Sequence, residues 1–432
     1  MNIFEKRITR QHFLRGMALA AGSAALAGCG GGSGSSSNEI TFMNWEETEG
    51  TPLGEVLKVF EKKTGMKVTI QPAPEGDAYD AKMRTVLSSG SPPDVFRIND
   101  DFVRGFSKDG ALLDLSKYMK KSNLDTNQFI MPSFNFPEQP DGSHTAWVVG
   151  IEPRLIFYNV DMFKEAGAAP PPTEWTSENW TWDDFLNTAK QLTVKDDQWG
   201  GLIYYDTGYE QTFSVNNGDE PGIYSEDGKD FTLASPKGAE AVQWATDLTC
   251  EHGVQPPWSQ LQQEFIDQQL FAQGKVAMIF GTFGIVPYLE QTVKDFTWDV
   301  APPPAKIHQK TEASVIVFAS GTTSENPEGA WKLLHFLSSE EAGKILAQGR
   351  AFNPINKEAA KMIKPTDQPP AHINLFAEAS NHLTAPNQTN ATSEARDLYR
   401  PALDKVYNCE ASAQQVLNSV KPRVEELLAG KM

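Results

Sequence analysis

Three carboxylates and a tyrosine pair are the side chains of this 432-residue chain whose settings suggest chemistry. Glu47 follows an alternating run at 39–45, Asp101 closes an Asn99-Asp-Asp101 turn after Phe96, and Glu152 breaks into an apolar run at 147–158 together with Pro153 and Arg154. Two carboxyl groups facing one another serve glycoside hydrolysis, one as acid and the other as nucleophile or base. The same groups, acting only as charged acceptors, bind hydroxyls without reacting. Tyr204 and Tyr205 with a carboxylate would suit a ferric ion, although neighbours on a strand face opposite sides. There is no GxSxG, HExxH, Walker A or CxxC pattern, and the seven histidines fall in no paired spacing. Nucleophilic, zinc and nucleotide chemistry therefore have no motif to rest on.

The elements that carry these residues alternate between strand and helix. Residues 39–45 alternate apolar and polar, 51–64 place Leu53, Val56, Leu57 and Phe60 at helical spacing, and 66–70 alternate again. Lys62-Lys-Thr-Gly65 puts basic residues in the last helical turn and glycine at its cap. A second helix is expected near 79–88, before a turn at Gly90-Ser-Pro-Pro-Asp-Val-Phe96 that feeds a buried strand. At 147–158 two runs of strand length flank Glu152-Pro-Arg154, which we read as a crossing between lobes; a helix at 160–166 follows, closed by Gly167. Thr181-Trp-Asp-Asp184 and Ser338-Ser-Glu-Glu341 are capping-box patterns, and Trp180 and Trp182 read as packing at a helix entrance. Such alternation implies a parallel sheet with right-handed crossovers, whose ligands bind beyond the carboxyl ends of the strands.

The termini and the charge narrow the setting. Lys6, Arg7, Arg10 and Arg15 precede a small apolar run ending in Leu26-Ala-Gly-Cys29, an export signal too short to span a membrane. Its end resembles a bacterial lipobox, which makes Cys29 the expected lipidation site. The glycine–serine stretch behind it is a tether with a coil dimension on the order of 15 Å. Without residues 1–28 the net charge moves from −18 to −21, which excludes a nucleic-acid partner, since that needs phosphate neutralisation. Cys250 and Cys409 could pair. The sequons at Asn387 and Asn390 read as chance beside a bacterial signal.

Asn44-Trp-Glu-Glu47, Phe60-Glu-Lys-Lys-Thr-Gly65, Pro93-Asp-Val-Phe96, Gly110-Ala-Leu-Leu-Asp-Leu115, Phe157-Tyr-Asn159, Phe163-Lys-Glu-Ala-Gly167, Phe271-Ala-Gln-Gly-Lys-Val-Ala-Met278 and Ser324-Glu-Asn-Pro-Glu-Gly-Ala-Trp331 stand in an order that resembles the solute-binding proteins of ABC importers, carbohydrate branch. The resemblance implies an α/β fold of two lobes, each a mainly parallel sheet flanked by helices, joined by a hinge of several crossings. It divides the chain into a signal peptide (1–28), a lipidated cysteine and tether (29–38), a first lobe of 39–148 plus 299–351 and a second of 149–298 plus 352–432. The competing architecture is one larger α/β domain with a helical C-terminal appendage. The implied ligand contacts are Trp45, Glu47, Asn99, Asp101, Glu152 and Arg154, then Tyr205, Tyr209, Gly281, Thr282 and Phe283, and Arg350 at a crossing. Ile98 and Phe283 stand where maltose binders often carry tryptophan, and Arg97, Arg154, Arg350 and Arg396 would allow a charged sugar. The implied activity is capture of a mono- or oligosaccharide by a monomer, without enzymatic turnover, cofactor or metal. Its other partners would be an ABC permease and, through the lipid, the outer face of the cytoplasmic membrane or the periplasmic side of the envelope. A secreted glycosidase and a ferric-ion binder are the alternatives.

Overall fold

The computed structural model describes residues 38–431 apart from 75, 76, 176, 177, 386, 388 and 390, so the expected signal, Cys29, most of the tether and Asn390 lie outside the described residues. Nine strands form one sheet among the described residues: β1 (Glu39–Met43), β2 (Lys67–Ile70), β3 (Val95–Ile98), β4 (Trp147–Asn159), β5 (Met278–Thr282), β6 (Trp298–Ala301), β7 (Thr311–Ala319), β8 (Asn353–Pro354) and β9 (Leu383–Thr384). Their order is β2-β1-β3-β7-β4-β5, with β6 and β8 also on β4 and β9 on β7. β1 pairs parallel with β2 and β3, but β3–β7, β4–β7, β4–β5 and β4–β6 are antiparallel. The sheet is thus mixed where a mainly parallel one was expected. β4 runs through both halves, and the strands that return beside it run against it.

β4 is one strand of 13 residues with no break at Glu152-Pro-Arg154. Pro153 has no N–H to give a ladder, and it falls where the neighbour changes from β7, whose register ends at Pro153↔Ala313, to β5, which begins at Arg154↔Thr282. Gly150 is needed there for close approach, since a Cβ would meet the Phe352 ring and the Asn353 carbonyl.

Two apolar cores flank this point. Ile151 is the last residue of β4 in the first core and Leu155 the first in the second. The other crossings lie further along than expected. Trp298, Val300 and Ala301 pack in the second core and Ala313 in the first, while Phe352 and Ile355 pack in the first and Ile363 in the second. Val149, Ile151, Phe352 and Ile355 thus pack with the first core and Trp298, Val300 and Ala301 with the second, since Ile151 pairs with β7 and Asn353 with that end of β4, whereas residues 298–301 pair with the far end of β4 at 156–159.

Local signals act as their chemistry dictates. Thr51 caps the helix Pro52–Thr64 and Gly65 ends it at φ 70°. Thr181 and Asp184 form the reciprocal capping box. At the other box the cap moves by one residue: Ser339 accepts from Ala342 N, whereas the Ser338 hydroxyl accepts from the indole N–H of buried Trp147 at 2.9 Å. The last helices, Thr392–Tyr407 and Ala413–Leu428, bury Tyr399, Leu403, Leu417 and Val424 in the second core, so they are no appendage. A disulfide between Cys250 and Cys409 ties them to the helix Pro236–Cys250. Among the described residues no helix is long and apolar enough to cross a membrane.

Candidate ligand site

A cavity of about 260 Å³ lies between the two cores. One wall is the start of the helix Asp100–Lys108, which packs on the first core through Val103. Asn99 caps it, and both Asn99 Oδ1 (3.3 Å) and Asp100 Oδ1 (3.0 Å) accept from Asp101 N–H. The floor is the junction of β4 and β7, from which Arg154, Glu312 and Ser314 face the space. The far wall belongs to the second core: the Thr207-Gly208 turn, Tyr224, and one face of the helix Thr392–Tyr407. The walls touch through an ion pair between Asp101 and Arg396.

Charge here is dense and internally matched. The Arg154 guanidinium lies between Asp206, at 2.5 Å, and Glu312. Gly208 makes room for it, since a Cβ there would overlap the Arg154 side chain. Its two carboxylates outweigh the burial that opposes its charge and hold it firmly protonated. Burial pushes the Glu312 carboxyl up to about 7 against the pull of Arg154. Burial also raises Asp100, with Arg396 and Arg154 opposing, and lowers Arg396 to about 10. Behind the far wall, buried Glu210 accepts from the Tyr399 hydroxyl at 2.6 Å and from Arg400 at 3.4 Å. The hydroxyl of Tyr224, a residue of the same wall, is buried and has no hydrogen-bond partner among the described residues. A cavity so lined offers strong donors and acceptors close together around a volume at the small end for ligand pockets.

Residues 44–344 match the model of the bacterial extracellular solute-binding proteins. The chain belongs to that family. A binding protein of Brucella abortus is 27% identical over 342 residues, 75% of this chain and 77% of the relative. A maltooligosaccharide ABC transporter solute-binding lipoprotein of Streptococcus pneumoniae is 25% identical over 348 residues, covering 75% and 74%. Among solved structures, an ABC substrate-binding protein of Listeria monocytogenes in complex with cycloalternan superposes with a TM-score of 0.80 at 25% identity, covering 90% of this chain and 99% of that one. The two-lobe architecture is shared with it.

In this solute-binding protein, Asn99, Asp101 and Arg154 of the expected contacts line the cavity. Glu152 lies beside it, on the same face of β4 as Arg154 and opposite Ser314. Burial pushes its carboxyl up to about 7, with Arg97 opposing. Thr282 pairs with Arg154 across β4 and β5. Trp45 and Glu47 line a different hollow of about 330 Å³, and the Arg97 guanidinium stacks 4.2 Å from the Trp45 ring centroid. Tyr205 spends its hydroxyl on the Gln263 carbonyl at 2.7 Å, and Tyr204 spends its own on the Pro256 carbonyl at 2.8 Å, so the tyrosine pair converges on no ion.

Four expected contacts are instead structural. Tyr209 is 1% exposed and shares a hydrogen bond of 2.6 Å with the Tyr407 hydroxyl inside the second core. Phe283, just past the end of β5, is fully buried against Phe376 in the second core. Gly281 leaves room for Ile285. Arg350 pairs with Glu290 and donates to Thr366 Oγ1 at 2.7 Å, away from the cavity. Among lining residues not anticipated, Glu312, Tyr224, Tyr399 and Arg400 stand out. The last two had a signal: Thr392, Arg396, Tyr399 and Arg400 fall at i, i+4, i+7 and i+8, one face of a helix.

The Glu312 carboxyl carries a pH prediction. Its folded pKa of about 7 exceeds the usual carboxylate value, so the folded chain holds a proton that the unfolded chain releases between about 4.5 and 7. Its contribution to stability therefore falls as pH rises through that window. Glu312→Gln has no such proton, and its unfolding midpoint relative to wild type is expected to climb from pH 4.5 to 7. A constant difference across that range would mean that Glu312 ionises like an exposed acid.

Proposed function

We propose that this solute-binding protein captures a small carbohydrate in the cleft and delivers it to an ABC permease. The observation that carries this reading is the crowding of guanidinium and carboxyl groups around one cavity at the strand junction where the chain passes between lobes. The pneumococcal and Listeria proteins, named for an oligosaccharide and solved with one, support a sugar as the solute class. The lobes are taken to move about the crossings at 152–154, 302–312 and 356–362, which is a common way to enclose a ligand. Cys29, at the end of the lipobox-like run, is taken as the lipid-bearing residue that keeps the body at the membrane. Binding is the whole activity in this reading, and no glycoside turnover is expected. Glu47 lines a hollow distinct from the one that holds Asp101, so those two carboxyls do not face one bond.

Thermal unfolding of the purified chain with a panel of sugars, polyols, sugar phosphates and ferric salts tests it. A carbohydrate at about 100 times its dissociation constant is expected to add roughly 2.7 kcal/mol of stability. A shift with ferric ion and with no carbohydrate would replace the reading by iron capture, and release of free sugar from a glycoside would replace it by hydrolysis.

A further inference from the structure

Arginine is concentrated in the cleft far beyond its share of the chain. Of the eight arginines among the described residues, Arg104, Arg154, Arg396 and Arg400 line it, and none of the more numerous lysines does. They arrive from three stretches, the helix Asp100–Lys108, β4 and the helix Thr392–Tyr407, so the cluster is made by the fold and not by a basic run. Asp100, Asp101 and Glu312 are the acids of the same lining. Burial raises both Asp100 and Glu312, so near neutral pH they offset less positive charge than their number suggests. The chain as a whole is acidic, with a net charge of −18, which sets this cluster apart. Arginine, unlike lysine, presents a planar fork of N–H groups that meets two oxygens of a carboxylate or phosphate at once.

The ion pairs around the cleft place these groups without exhausting them. Arg154 gives Nε to Asp206 and Nη1 to Glu312 and is scarcely exposed, which suits it to holding the junction. Arg396 gives Nη1 to Asp101. Arg400 is the least committed of the three: its protein partners are the Thr207 carbonyl and Glu210, both met through Nη2 at 3.4 Å, longer than an ordinary charge-assisted bond. Glu210 still outweighs burial and keeps the group charged, and 24% of its side chain is exposed. Arg396 stands one helical turn earlier, at i, i+4, where like charges repel. Burial and the neighbouring Arg400 together lower Arg396 to about 10. Two guanidiniums set side by side on a shielded wall disfavour one another, and a bound anion relieves that repulsion.

We infer that the solute of this cleft is an anionic sugar derivative, bearing a carboxylate or a phosphate, and that Arg400 holds its oxyanion beside Arg396. Arg396 keeps its contact with Asp101 in this arrangement, and the acids of the lining accept from the hydroxyls of the same solute. The inference rests on the carbohydrate reading and narrows it to sugar acids and sugar phosphates.

Calorimetric titration of the full chain with matched sets tests it: glucose with glucuronate and glucose 6-phosphate, galactose with galacturonate, glycerol with glycerol 3-phosphate, and maltose alone. Within a set that binds, an anionic member is expected to bind at least about tenfold more tightly than the neutral one, the lower end for a hydrogen bond to a charged group. Whether the uronate or the phosphate leads identifies the oxyanion. Arg400→Gln is expected to abolish that preference by weakening the anionic member and leaving the neutral one nearly unchanged. Arg400→Lys keeps a positive charge beside buried Glu210, and so the fold, but loses the planar fork; it is expected to retain only part of the preference. Equal or tighter binding of the neutral members, or of maltose with no anionic member bound, overturns the inference and leaves the carbohydrate reading standing. An anionic preference unchanged in both variants overturns the role of Arg400. Binding of no member of any set overturns this inference along with the reading beneath it.

Discussion

Replacing Arg154 by methionine is expected to destabilise the unliganded chain by about 3–5 kcal/mol, the range for removing one partner of a buried ion pair. The expectation follows from what is left behind. Asp206 and Glu312 face the Arg154 guanidinium from different segments, one in the second lobe and one at the start of β7. Methionine fills the stem but leaves both carboxyls in a site with little water, so each must take up a proton or bear its own desolvation. The Arg154 carbonyl also accepts from Thr311 Oγ1 at 2.6 Å, but that main-chain bond survives the substitution and does not enter the loss. Arg154→Lys should recover only part of it, because one ammonium cannot present two forked N–H edges to two carboxylates. Urea unfolding followed by tryptophan fluorescence checks both variants. A methionine variant within about 0.5 kcal/mol of wild type, the usual span for surface changes, would show that the guanidinium is not buried between its partners.

How far all this could be read from the chain depends on how local each determinant is. Thr51, Gly65 and the Thr181–Asp184 box act within a single turn, so residue type suffices to place them. Ser338 and Ser339 show where that ends. Either hydroxyl could cap the helix Glu340–Gln348, and the choice is made by Trp147, almost two hundred positions away, which takes the Ser338 hydroxyl for its indole N–H. The site divides along the same line. Asn99, Asp101 and Arg154 sit just after or within strand runs, and position along the chain is enough to bring them to the cleft. Tyr209 and Phe283 have the right chemistry for a sugar face, but an aromatic ring is as well served by a core, and only tertiary packing decides which way it turns. Glu312 and Tyr224 carry no local mark. They reach the cleft because β7 comes back beside β4 and because Asn387 fixes the main chain at Tyr224.

Arg396→Ala is expected to weaken ligand binding by roughly tenfold to a hundredfold, the equivalent of a charged hydrogen bond worth about 1.5–3 kcal/mol. Arg396 stands on a helix packed in the second core and Asp101 on a helix packed in the first, and their ion pair is a direct contact between lobes across the cavity. A contact of this kind exists only when the walls are together. Removing it therefore costs the closed arrangement and not the open one, and the apparent affinity falls by the fraction of molecules that remain able to close. Folding stability is expected to change little, because neither core loses a buried apolar group and both partners keep some access to water. Asp101→Ala should weaken binding to a similar degree. The double variant should be scarcely weaker than either single one, because both remove the same contact. Additive losses in the double variant would assign Asp101 and Arg396 separate contacts with the solute, and unchanged affinity in both single variants would make the pair incidental to closure. Slower closing or faster release can be told apart by stopped-flow. Faster release is expected, since the pair holds the walls together around the bound solute.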